Sequence, residues 1–192
     1  MIDRWTNTID KVTDDIKKDF GALNSAELNW KPDSNTWSIA QNIDHLIVIN
    51  KTYFPVISSL KNGTYKLPWP GKISFLVNFL GKTVLNSVQP DRRKKMKTFP
   101  IWEPATSDLP ATILQQFQEH QTELKRLIKS SEDLLEKNTI IASPASKMVV
   151  YKLETAFDII VAHEQRHREQ AREVLKMLPN KTSQTYGLTE QV

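Results

Sequence analysis

The chain has 192 residues, 39% of them hydrophobic and 25% charged, with a net charge of +4 and no cysteine. That length fits one domain with a sizeable core, and the composition excludes both a disordered chain and a membrane-spanning one, because no apolar run approaches the roughly 20 residues a bilayer requires. Without cysteine there are no disulfides and no thiolate nucleophile, so nitrogen and oxygen must hold any bound metal.

The first segment, MIDRWTNTIDKV, mixes acids and bases where a secretory signal would have a basic tip and an apolar block. A retained N-terminus and a cytoplasmic protein are expected. Ile2, Trp5, Ile9, Val12, Ile16, Phe20 and Leu23 advance by threes and fours, which puts them on one stripe of a helix. A second helical pattern runs from Ser38, an N-cap residue type, to about Leu60, with Ile39, Ile43, Leu46, Tyr53 and Ile57 inward. Pro55 should kink it or end its regular part.

About fifty residues rich in proline and aromatics follow, with ISFLVNFL expected as a short extra helix and a candidate contact between two copies. Within them Arg92, Arg93, Lys94, Lys95 and Lys97 form a basic cluster between Pro90 and Pro100. Such a run can bind phosphate backbones, but no helix or sheet pattern presents it, so a solvated loop is expected and nucleic acid is not an expected partner. A third helix starts near Pro110 and carries Ile113, Leu114, Phe117, Leu124, Leu127 and Ile128, and a fourth runs from Leu153 to Leu178 with Ala156, Ile159, Ile160 and Val174 inward. The pattern predicts an all-α four-helix bundle over residues 1–178 with a polar tail at 179–192.

Chemistry concentrates in HEQRHREQ, residues 163–170. His163 and His167 are one helical turn apart and project the same way, on the stripe of Ile159, Ile160 and Val174 that Gln170 continues. Two imidazoles so placed either bind a metal or form a packed structural pair. His45, beside the apolar stripe of the second helix, is the candidate third ligand, and three protein ligands leave positions open as in a catalytic site. His120, between Phe117 and Leu124, is either a hydrogen-bonded core histidine or an outer base or fourth ligand. HEQRH also fits the HExxH pattern of zinc proteases, but the following REQAREVLKML lacks the glycine and third histidine of the metzincin version, and no strand-rich lobe precedes it. Glu164 lies about 100° around the helix from His163 and is expected at the solvent or rim.

Trp37-Ser38 leading into the helix of His45, the His163-x-x-x-His167-Arg168-x-Gln170 motif, and Phe99-Pro100 ahead of the third long helix together resemble the DinB-like superfamily. That superfamily includes the YfiT-type metal-dependent hydrolases and the bacillithiol transferases. The resemblance covers roughly residues 1–178 and implies an up-down-down-up bundle, often dimeric, with a divalent metal, usually zinc or nickel, held by three histidines at one end. Residue by residue the ligands would be His45, His163 and His167. Glu169 stands where some relatives have glycine, which leaves the subfamily open.

The leading expectation is a metal-dependent enzyme, a thiol S-transferase or hydrolase-like activity, acting on a small thiol or electrophile, with Gln170 orienting a ligand and Trp69 and Trp102 walling the pocket. The rival is a non-catalytic bundle that binds a small molecule or partner through a stabilising or vestigial metal site. A homodimer is expected, and no membrane partner.

Overall fold

The protein is described from a computed structural model, for residues 2–91, 99–105 and 108–179. The basic cluster at 92–97 and nearly all of the tail lie outside the described residues.

The chain is mostly helical. Helix α1 (Ile2–Phe20) buries Trp5, Ile9, Val12, Ile16 and Phe20, the expected stripe, and Leu23 is buried just beyond its end. A short helix not expected from the sequence, α2 (Ser25–Asn29), follows. It opens on a capping box in which the Asn24 side chain and the Glu27 backbone and carboxylate satisfy each other. Ser38 caps α3 (Ile39–Lys51) in the same way, its hydroxyl accepting from the Gln41 N–H while the Gln41 side chain accepts from the Ser38 N–H.

The second helical pattern divides earlier than Pro55. α3 ends at Lys51 and α4 (Tyr53–Lys61) begins after Thr52. The physical reason is the same proline: Pro55 has no N–H to give the carbonyl of Lys51, four residues back, and its ring crowds that carbonyl.

The connector supplies a short 3-10 turn (Trp69–Lys72) and the extra helix, α5 (Ser74–Ser87), longer than ISFLVNFL. A second 3-10 turn (Pro100–Trp102) leads to α6 (Ile113–Lys129), followed by the short α7 (Glu132–Glu136). A two-stranded antiparallel hairpin, β1 (Ile140–Ser143) and β2 (Ser146–Lys152), then precedes α8 (Leu153–Met177). The hairpin was not expected, although MVVYK has the β-branched and aromatic residues that suit a strand. It is roofed by α5: Val77 packs on Ala142 and Val150. Gly81 brings the two together, since a Cβ there would lie 3.1 Å from the Tyr151 Cβ and 3.3 Å from the Thr155 Cγ2.

Each of the four long helices α1, α3, α6 and α8 has two of the others as neighbours: α1 and α3 both pack on α6 and on α8. Their interior falls into two apolar clusters. One holds Ile16, Phe20, Ile43, Phe117 and Val174, and the other Trp5, Ile9, Tyr53, Leu124, Phe157 and Ile160. Along α6 the change from one to the other occurs at His120 and Gln121, and along α8 at residues 163–167, so a buried polar layer separates them. Among the described residues no helix is long and apolar enough to cross a membrane.

Candidate metal centre

The capped start of α3 fixes where its side chains go. Asn42 and His45 are three residues apart on one face, turned towards the middle of α8. His163 and His167 sit at the centre of α8 rather than at its end, one turn apart. The three histidines meet: their ligand nitrogens all lie within 4.8 Å of one another. The Nε2 atoms of His45 and His163 are 3.4 Å apart. His45 and His167 are buried, and His163 is partly exposed as a whole residue.

The hydrogen bonds assign the tautomers. His45 Nδ1 is 2.6 Å from the carbonyl oxygen of Trp102, which only accepts, so Nδ1 carries the proton and Nε2 keeps its lone pair. His167 Nδ1 is 2.9 Å from Asn42 Oδ1. The amide orientation of Asn42 is fixed in turn, because its nitrogen donates to the Ser38 carbonyl at 2.9 Å. His167 therefore also presents Nε2 with a free lone pair. Orientation of ligand imidazoles through their second nitrogen is a recurrent feature of metal sites.

Burial favours the neutral form of all three imidazoles. Desolvation is the main reason each pKa is lowered, most strongly for His163 and His167. The neighbouring imidazoles and the guanidinium of Arg166, which donates to the Ser87 carbonyl at 2.9 Å, push the latter two further down. Neutral nitrogen donors are what a divalent transition ion requires. The donor set, its convergence and its pre-oriented lone pairs fit such an ion.

Trp37 closes one side, its ring 4.8 Å from His45 and stacked on His167 at 5.7 Å between centroids. The segment after the second 3-10 turn is clamped over α3, with Gln41 donating to the Ala105 carbonyl and Asp44 accepting from the Ala105 N–H. This clamp delivers the Trp102 carbonyl to His45.

Several expected roles change. Glu164 is not at a rim: it is 0% exposed, and its two oxygens accept from Asn50 Nδ2 at 2.8 Å and Gln121 Nε2 at 2.9 Å. A position 100° from His163 points between α3 and α6 because helices surround α8 on that side as well. Burial lifts its pKa to about 7 despite both hydrogen bonds. Gln170 is half-buried and makes no hydrogen bond to the three histidines among the described residues; the Trp102 carbonyl and Asn42 orient His45 and His167 instead.

His120 does not join the cluster, nor is it a hydrogen-bonded core histidine. It is 2% exposed with both ring nitrogens unpartnered, its ring stacked on Phe54. The 3-10 turn that carries Trp69 lies against α5 and the hairpin rather than at the histidines, and Trp69 itself is exposed. Asn42 had a sequence signal, being three residues before His45 on a helix; a backbone carbonyl such as that of Trp102 had none.

No match to the chain is found among curated proteins or among solved structures. The sequence does match the DinB superfamily over residues 3–171, a span that contains all three histidines, Asn42 and Trp102, and the chain therefore belongs to the DinB superfamily.

Proposed function

We propose that the protein is a metal-dependent enzyme in which His45, His163 and His167 hold one divalent transition ion, zinc or nickel, and that it transfers a small thiol or hydrolyses an electrophilic substrate. The observation that carries this reading is the convergence of three neutral imidazole donors within 4.8 Å, two of them already oriented through Nδ1. Three protein ligands leave coordination positions for a substrate. An ion held there would supply Lewis acidity, lowering the pKa of a thiol or water. The chain's own residues do the rest. Asn42 and the Trp102 carbonyl hold the ligand lone pairs in place, and Trp37 shields the cluster from water on one side. The same proposal takes α1, α3, α6 and α8 as an up-down-down-up bundle and two copies as the working unit.

The test is elemental analysis of untagged protein beside a His163→Ala, His167→Ala double variant, followed by conjugation and hydrolysis assays over a panel of electrophiles with small thiols. One equivalent of metal in the parent, none in the variant, and turnover lost with the metal are expected. Equal, negligible metal in both after loading would overturn the reading.

A second reading, a non-catalytic bundle stabilised by its metal, is favoured by one observation. The carboxylates next in sequence to the histidines are turned to other partners, Glu164 to Asn50 and Gln121 and Asp44 to the Ala105 N–H, and neither is hydrogen-bonded to the three imidazoles among the described residues. Metal at 100 times its dissociation constant would then stabilise the fold by about 2.7 kcal/mol without turnover.

A further inference from the structure

Helix α5 carries apolar side chains on an outer face that no described residue covers. Residues two apart on a helix are about 200° apart, so burying Val77 and Gly81 against the hairpin turns Phe75 and Phe79 outward. Phe75 is 71% exposed and Phe79 56%, and the two rings stack at 5.9 Å. The turn that leads into α5 adds Trp69, 60% exposed, and the exposed Ile73. Large apolar side chains gathered this way mark a surface that another phase or molecule covers.

Charge selects the occupant. Residues 45–90 contain five lysines and no acidic residue, which leaves 21 basic against 22 acidic residues in the remaining chain. Lys66, Lys72 and Lys82 flank the aromatic residues in sequence, are exposed, and take part in no ion pair among the described residues. A second copy packed on this segment by twofold symmetry would face it with lysines and with no acid of the same segment to neutralise them. An anionic surface meets no such repulsion. Aromatic residues on a helix edged by lysines suit the boundary between acyl chains and headgroups.

We propose that the α5 face, Trp69, Ile73, Phe75 and Phe79 with Lys66, Lys72 and Lys82, docks on the surface of a bilayer containing anionic phospholipid. The chain lies on the membrane without spanning it, which requires one apolar helix face and not a 20-residue apolar run. That reconciles the docking with the lack of any spanning segment, from which no membrane partner was expected.

The test is co-sedimentation of the full chain with phosphatidylcholine vesicles, with and without phosphatidylserine. Sedimentation with the anionic vesicles alone, weakened by salt, is expected. Lys66→Gln, Lys72→Gln and Lys82→Gln together should lower partitioning on the order of a hundredfold, each lysine near an anionic surface contributing about fivefold. Phe75→Gln with Phe79→Gln should abolish the binding that survives high salt, with circular dichroism confirming the fold; should that variant not fold, the lysine variant decides. Two results would overturn the proposal: no sedimentation with either vesicle, or light scattering that shows the phenylalanine substitutions dissociating a dimer while vesicles bind parent and lysine variant alike. None of these substitutions touches the three histidines, so the metal reading stands or falls separately.

Discussion

Replacing Glu164 by glutamine keeps the shape of the buried side chain and removes its charge, which makes its burial measurable. In the native protein the carboxyl titrates at about 7, against an ordinary 4.5, because desolvation outweighs the hydrogen bonds from Asn50 and Gln121. A carboxyl whose pKa rises on folding holds more protons folded than unfolded between those two values. Its contribution is therefore most favourable below pH 4.5 and is lost as pH rises through 7. At about 1.4 kcal/mol per pH unit, the loss amounts to about 3 kcal/mol.

Glutamine does not titrate, so the difference in unfolding free energy, variant minus parent, should rise by about 3 kcal/mol from pH 4.5 to pH 7.5. The absolute offset will be unfavourable to the variant at low pH, since its amide nitrogen confronts one of two amide donors. Buried histidines contribute equally to both proteins and cancel. Urea unfolding followed by circular dichroism, with chelator present to suppress metal linkage, measures the difference. A flat difference across this range would mean that Glu164 is solvated, and would refute the buried polar layer between the two apolar clusters.

His120 provides the opposite sign. Burial, aided by the nearby Lys51 charge, lowers its pKa to about 4, so native stability should fall as pH drops from 6.5 towards 4. His120→Leu should remove about 3 kcal/mol of that acid dependence, keep stability at pH 7 because no hydrogen bond is lost, and leave metal content unchanged, as thermal melts and elemental analysis will report. Asn42→Ala should weaken metal affinity by about 10- to 100-fold in a competition titration, through loss of the acceptor that orients His167. Gly81→Ala should be destabilising by no more than about 2 kcal/mol in chemical denaturation, because crowding of the new methyl against Tyr151 and Thr155, about 1–3 kcal/mol, is offset by about 1 kcal/mol from removing a helix glycine. Light scattering should give twice the 22.1 kDa chain mass if two copies form the working unit.

Much of the helical frame could be read from spacing. The stripe from Ile2 to Phe20 and the run from Leu153 to Leu178 are long enough that only a helix buries them, and Ser38 announces its cap through Gln41 three residues on. The break after Thr52 was displaced by a few residues because a proline acts on the carbonyl four positions back. The hairpin at 140–152 was missed because short strands carry little periodic signal and gain their burial from α5, some sixty residues earlier in the chain.

The sequence by itself determined the donor chemistry: no thiolate, four histidines, and two of them on one helical turn. It also determined the positions of the long helices, since periodicity and caps are local properties of a chain. Tertiary structure alone decided that His45 reaches His163 and His167 while His120 does not, that the Trp102 carbonyl and Asn42 hold the lone pairs inward, and that Glu164 is buried among amides. These depend on which helix faces which. A helical wheel gives an angle, and only the packing of neighbouring helices says whether that angle meets water, another donor or the core.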